Sequence, residues 1–304
     1  MINKLIKFFW SLIFVRRFSK KNRIIKKFSN ILPPCLCIDI GASYFPHSNW
    51  KIFILSKNTT WLAVDPNVEN INYINNWKYP SKIIAIGDAL SKDGKDYNLN
   101  IASTDSGSSL LNIEINELHD YRIRKEDFLP VKKKIIKTTK TEKIFQKFSD
   151  NQPILLKLDT QGSELEILDG IEDIKKKKIV SIELECGLDN YPIYNEAAKF
   201  PEIMNKMKSL GFELLSMKII HNSFNKSKYM HGLKEIVSHC DAIFTLDRLE
   251  IKKRSNDEKI ILVGFYISNG FFLEAKKMLE DFPDLKSYFE NENYYKKLID
   301  LLSK

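Results

Sequence analysis

A set of carboxylates recurs where short apolar runs give way to turns. Asp39 lies in the run Cys35–Ile40, two residues before Gly41, and Asp65 follows the run at 61–64. Asp88 follows 82–86, and Asp159 follows 154–158. Glu183 lies in the run at 179–184, with Glu185 just after it. A carboxylate at such a place can accept hydrogen bonds from sugar hydroxyls, or take a proton from a reacting hydroxyl when its pKa suits. Taken singly, an aspartate there is a turn former or a helix cap. Repeated along one edge, such residues outline a cleft.

The elements that must place them are legible in the pattern. Five apolar runs of strand length are separated by helix-like stretches such as 68–77 and 163–168. That alternation implies a parallel sheet covered on both faces, with ligands beyond the carboxyl ends of its strands. A helix is expected at 195–210, and two later strands at 212–217 and 242–246. From 257 to 302 apolar residues recur at helical spacing, which predicts two to four helices. The organisation read from this is a segment 1–32, a body 33–250 and a helical appendix 251–304.

The first turn reads Ile38-Asp39-Ile40-Gly41-Ala42-Ser43. A glycine after the first strand lets backbone approach a ligand. The spacing is not G-x-G-x-x-G, because positions 43 and 45 are Ser43 and Phe45, so a dinucleotide site is poorly supported. Asp65, ending the second strand, sits where a carboxylate can receive both hydroxyls of a ribose. Together the two turns suit an adenosine-bearing ligand.

Residues 155–166 read LLKLDTQGSELE and closely resemble the LLKIDVQGAE-type signature of FkbM-type methyltransferases. Other segments fall in that family's order: IDIGAS at 38–43, VDPN at 64–67, AIGD at 85–88, SGSSLL at 106–111, IEL at 182–184 with Tyr194, and CDAIF at 240–244. The resemblance covers roughly 35–247. It implies a Rossmann-like class I methyltransferase fold, α/β, with a mostly parallel seven-stranded sheet and helices on both faces. To this the pattern adds an N-terminal amphipathic helix and the C-terminal helices. It also implies S-adenosyl-L-methionine as cofactor. The expected contacts are Asp39, Gly41, Ala42 and Ser43 toward its methionine part, Asp65 and Pro66 at the ribose, and Asp88 near the adenine. Asp159 is the first candidate base or substrate-orienting residue, followed by Glu164 and Glu183. Glu164 has a structural alternative, since Ser163 and Glu166 are spaced as a capping box that starts a helix. Where the family has Asn and Gly, this chain has Ser43 and Phe45. With Pro46 following, the loop must close in another way.

The expected reaction is methylation of a hydroxyl on a glycan or small metabolite. A degenerate cofactor-fold module and an RNA methyltransferase are the alternatives. The net charge of +9 comes from 48 basic and 39 acidic residues. The first thirty residues hold nine of the basic ones and no acid, so the rest is formally neutral. A neutral body argues against nucleic acid as partner. The run FFWSLIFV at 8–15 is too short to span a bilayer. Flanked by cations, it fits a helix lying on an anionic membrane surface, or one packed on the body or a second subunit. Cys35, Cys37, Cys186 and Cys240 show no metal spacing and are expected as reduced thiols in a cytoplasmic protein, peripheral on the membrane's inner face if the tail binds lipid. No metal is expected. His47 could reach the cleft, whereas His119, His221, His231 and His239 show no ligand spacing. The lysines at 132–147 and 175–178 read as solvated ends of elements.

Overall fold

The computed structural model describes residues 28–115, 125–148, 151–174, 177–188, 193–222 and 236–291. The basic amphipathic stretch lies outside them. In chain order the strands are β1 Cys35–Ile40, β2 Thr59–Val64, β3 Lys82–Ile86, β4 Leu90–Ser91, β5 Asp96–Ala102 and β6 Pro130–Lys137. They continue with β7 Thr139–Lys140, β8 Ile154–Leu158, β9 Ile179–Gly187, β10 Phe212–Asn222 and β11 Ile236–Leu246. The helices are α1 Lys51–Ile54, α2 Val68–Asn75, α3 Thr141–Phe148, α4 Glu164–Asp169 and α5 Phe200–Ser209. After these come α6 Arg248–Lys252, α7 Asn256–Ser268, α8 Phe272–Asp281 and α9 Pro283–Asn291.

Seven strands form one sheet in the order β3-β2-β1-β8-β9-β11-β10. β3 through β9 are mutually parallel, and β11 runs antiparallel to both β9 and β10. This is the mostly parallel seven-stranded arrangement that the family resemblance implied. Every residue of β1 is buried, as a central parallel strand covered on both faces requires. The order reverses beside β1: chain continuity carries β1 to β2 on one side, while β8 pairs on its other side. A crevice opens at such a reversal, beyond the strand ends.

Several elements differ from the expectation. β10 and β11 extend to Asn222 and begin at Ile236, because they pair along their whole length. The helix expected from 195 starts at Phe200, and Pro201 falls in its first turn, where a missing N–H costs nothing. The lysine run at 132–137 is not a solvated end. It forms β6, antiparallel to β5, a two-stranded ribbon with mostly exposed side chains. Without a buried face, β6 shows no apolar alternation.

The C-terminal helices join the same core. α7 begins with Ser255 and Glu258 in reciprocal capping bonds. All of 258–267 is buried, and the helix packs against β9 and α1. The chain enters this core at Phe28, whose ring stacks on Phe289 at 5.4 Å. Among the described residues no helix is long and apolar enough to cross a membrane.

Candidate active site

Two turns touch at the centre of the crevice. After β1, Gly41 takes φ +80°, and a Cβ placed on it would lie 1.9 Å from the carbonyl oxygen of Asp159. Only glycine fits both the dihedral and the space. Gly41 and Ala42 donate their N–H groups to the Val64 carbonyl at 2.9 and 3.2 Å, and Asp159 N–H donates to Ile40 O at 3.0 Å. The ends of β1, β2 and β8 are thereby bonded to one another.

Around them lie two cavities. The larger, about 570 Å³, is lined by Gly41, Ser43, Asp65, Pro66 and Asp88, by the serines of 106–109, and by apolar side chains of β5 and β6. The smaller, about 270 Å³, is lined by Asp39, His47, Lys157, Glu183 and Asp241, among others. Ser43, Asp159 and Glu185 border both. The structure therefore brings Asp39, Ser43, Asp65, Pro66, Asp88, Asp159 and Glu183 to one crevice. Two of the sequence candidates point elsewhere. Ala42 is fully buried in the core, and Glu164 lines neither cavity.

In the large cavity, Asp65 Oδ1 accepts from Asn67 N–H at 2.8 Å and Asn70 Nδ2 at 3.3 Å. No described group bonds its other oxygen. Burial raises its pKa to about 6, against the lowering effect of Asn67 and Asn70. Asp88 Oδ2 accepts from Thr139 Oγ1 at 2.8 Å. Leu99, Ile101, Leu110 and Ile136 supply apolar wall. A carboxylate for a diol, apolar surface for a base and a backbone cradle at Gly41 make a donor set that fits S-adenosylmethionine.

The loop that lacks the family's glycine closes through aromatic packing. The left-handed residue is Tyr44, at φ +40°, rather than Phe45. Trp77 Nε1 donates to Tyr44 O at 3.0 Å, and the Phe45 ring meets Trp77 at 5.4 Å and Tyr73 at 5.8 Å.

The small cavity is built on a buried cation. Lys157 Nζ lies 3.0 Å from Asp159 Oδ2 and 3.5 Å from Asp39 Oδ1. Burial opposes its charge, but Asp39 and Asp159 outweigh that and hold the ammonium well above its ordinary pKa. For Asp159 burial pushes upward, yet Lys157 and the Gln161 amide bring the carboxyl below its usual range. Asp39, fully buried, is raised by burial despite Lys157. Glu183 Oε2 accepts from Asn49 Nδ2 at 2.8 Å, and its Oε1 lies 3.3 Å from His47 Nε2. Burial raises Glu183 to about 7 and, with the Lys157 charge, lowers His47 to about 4. His47 Nδ1 accepts from Asn49 N–H at 3.4 Å, so the neutral ring presents Nε2–H to Glu183. Glu185 is held well above the usual range by burial and by the nearby Asp159 and Glu164.

Glu164 clasps the turn between β8 and α4. It accepts from Thr160 N–H at 2.7 Å, Thr160 Oγ1 at 3.1 Å and Gly162 N–H at 3.0 Å. The expected capping box is absent. Ser163 Oγ has no partner, and Glu166 instead accepts from Lys92 N–H and Tyr97 O–H, each at 3.2 Å. The reach-back of Glu164 satisfies the turn N–H groups, so the box is not needed. The sequence pattern does not single out Lys157, Gln161 or Asp241, and it marks Glu185 only as a strand-end carboxylate. The lone cation inside the apolar run 154–158 was the available signal, because a buried lysine requires carboxylate partners.

The methyltransferase FkbM domain family matches residues 39–214, which span both turns and every strand from β2 to β9. The chain belongs to the FkbM methyltransferase family. It is an S-adenosylmethionine-dependent methyltransferase. Among solved structures it is similar to an S-adenosylmethionine-dependent methyltransferase from Methanosarcina mazei, with 10% identity over 73% of this chain and 97% of that one, at a TM-score of 0.30. It is also similar to a putative tRNA (m1A22) methyltransferase from Streptococcus pneumoniae, solved in complex with S-adenosyl-L-methionine. There the identity is 11% over 92% of this chain and 99% of that one, at a TM-score of 0.30. None of the curated proteins matches. Among the described residues no three His, Cys, Asp or Glu side chains are grouped to hold a metal ion.

Proposed function

We propose that this FkbM methyltransferase acts on a hydroxyl of a carbohydrate or small polyhydroxylated metabolite, with Asp159 as the acceptor-side base. The observation that carries this reading is the junction: Asp159 borders both cavities and is held ionised by Lys157. Bound S-adenosylmethionine supplies an electrophilic methyl group on a sulfonium. Gly41, Asp65, Pro66 and Asp88 would hold it in the large cavity, leaving the small one to the acceptor. There Glu183 and Asp241 offer acceptor oxygens to further hydroxyls, which suits a polyol better than an anion. As the acceptor oxygen takes the methyl group, its proton passes to Asp159. Positioning supplies most of the catalysis, because Lys157 holds Asp159 below the usual carboxylate range and so makes it a weak base whose larger part is to orient the acceptor hydroxyl.

The test is calorimetry with S-adenosylmethionine together with a radiolabelled-methyl assay on a panel of sugars. Asp159→Asn is expected to bind cofactor and to lose about 10²-fold or more in transfer. Transfer at the wild-type rate would refute the assignment. The nine basic residues at 4–27 support an acceptor presented at an anionic membrane on its cytoplasmic side. Equal pelleting with anionic vesicles, with and without residues 1–27, would exclude that attachment.

A further inference from the structure

Gln161 stands out because its backbone is strained and its side chain joins the buried Tyr194 to two half-buried carboxyls. It has φ +57°, the left-handed region that costs a non-glycine residue energy and tends to mark functional turns. Ser109 Oγ pins its carbonyl oxygen at 2.7 Å. Its Nε2 donates to Asp159 Oδ1 at 3.1 Å and lies 3.4 Å from Glu185 Oε2, so one amide bridges the two carboxyls that border both cavities. Its Oε1 accepts from the buried Tyr194 O–H at 2.7 Å, the shorter of that hydroxyl's two contacts, the other being Gly107 O at 3.2 Å. The shorter bond sets which end of the amide faces the carboxyls. A flipped amide would set an oxygen against two acceptors.

We propose that Gln161 is a positioning residue, oriented by Tyr194, that holds Asp159 and Glu185 in fixed relation at the junction of the cavities. The proposal rests on the methyl-transfer reading and deepens it. Asp159 faces Lys157, and Glu185 has its own 3.7 Å approach to His239 Nε2. When Asp159 takes the acceptor's proton, the bridging amide keeps both groups in place through the change. The environment pushes the two carboxyls in opposite directions, a pattern that separates acid from base. Other charged groups facing the pair are Asp39 from β1, Lys157 from β8, Glu164 from α4, Glu183 from β9 and Asp241 from β11. Lys157, the cation among these, pairs with Asp159 Oδ2, whereas Gln161 serves Oδ1.

The test is a ¹³C side-chain titration of the full chain labelled at aspartate, with Asp159→Asn as the assignment control. Gln161→Gly relieves the strained φ while deleting the amide. It is expected to leave the melting temperature unchanged or higher, and to raise the Asp159 midpoint by about one pH unit, the effect of losing a hydrogen bond to a charged group. Tyr194→Phe, which keeps the amide but frees it to flip, is expected to move the midpoint the same way by less. An unchanged midpoint in Gln161→Gly would overturn the proposal, as would a lower melting temperature with no movement of the midpoint. Calorimetry with S-adenosylmethionine on the same wild-type sample judges the cofactor reading separately, because the titration reads the hold on Asp159 with no cofactor present.

Discussion

Replacing Lys157 with methionine removes the cation that the junction is built around while keeping a side chain of similar length. Lys157 is 11% exposed, and its Nζ faces Asp159 at 3.0 Å and Asp39 at 3.5 Å. At an effective dielectric of about 20, each contact corresponds to about 5 kcal/mol of attraction. The lysine's own desolvation offsets part of this, and the orphaned carboxyls can protonate instead. For a group of ordinary pKa near 3.8, protonation at pH 7.5 costs about 5 kcal/mol, which bounds the loss per carboxyl. The expected destabilisation at pH 7.5 is therefore about 3–5 kcal/mol, the usual result of unpairing a buried charge. The pH dependence follows from the sign. Without Lys157, both carboxyls have folded pKa values above their unfolded ones. Such groups destabilise the fold increasingly as pH rises from the unfolded value to the folded one. The deficit should shrink to about half or less by pH 5. Urea unfolding of wild type and Lys157→Met at pH 5 and 7.5 measures it. A deficit below about 1 kcal/mol at pH 7.5, or one that does not change with pH, would refute the reasoning.

Three further outcomes are expected. Cofactor affinity should fall about tenfold per pH unit below about 6, where Asp65 protonates, and Asp65→Ala should lose about 10²-fold and flatten that profile in calorimetry. Gly41→Ala should cost more than about 3 kcal/mol in urea unfolding, since its Cβ must displace the Asp159 carbonyl from 1.9 Å and occupy φ +80°. Glu183→Gln should stabilise the protein by about 2 kcal/mol at pH 8 and by nothing measurable at pH 4.5. Burial raises this carboxyl to about 7, so its ionisation between those values works against the fold.

The sheet was legible because central parallel strands must be apolar along their whole length. The runs at 35–40, 61–64 and 154–158 have no other reading once helices separate them. Asp65 and Gly41 were legible for the same reason: the end of a parallel strand fixes where its turn residue faces. The strand β6 was not, since a strand exposed along nearly all its length carries no alternation, and its lysines look like any solvated surface. The capping box at Ser163 and Glu166 shows the same limit, because spacing gives reach but not which competing partner wins.

By itself, the sequence determined the order of strands and turns, the carboxylates at their ends, and the family signature at 155–166. These are local properties, set by the type and spacing of adjacent residues. The tertiary structure alone decided which carboxylates share a cation, which are forced up or down in pKa, and which amide bridges them. Lys157 joins Asp159 to Asp39 of β1, and Gln161 joins it to Glu185 of β9, so three strands and a turn meet there. Coulomb energy and desolvation depend on those distances and on burial, neither of which is written in the spacing along one chain.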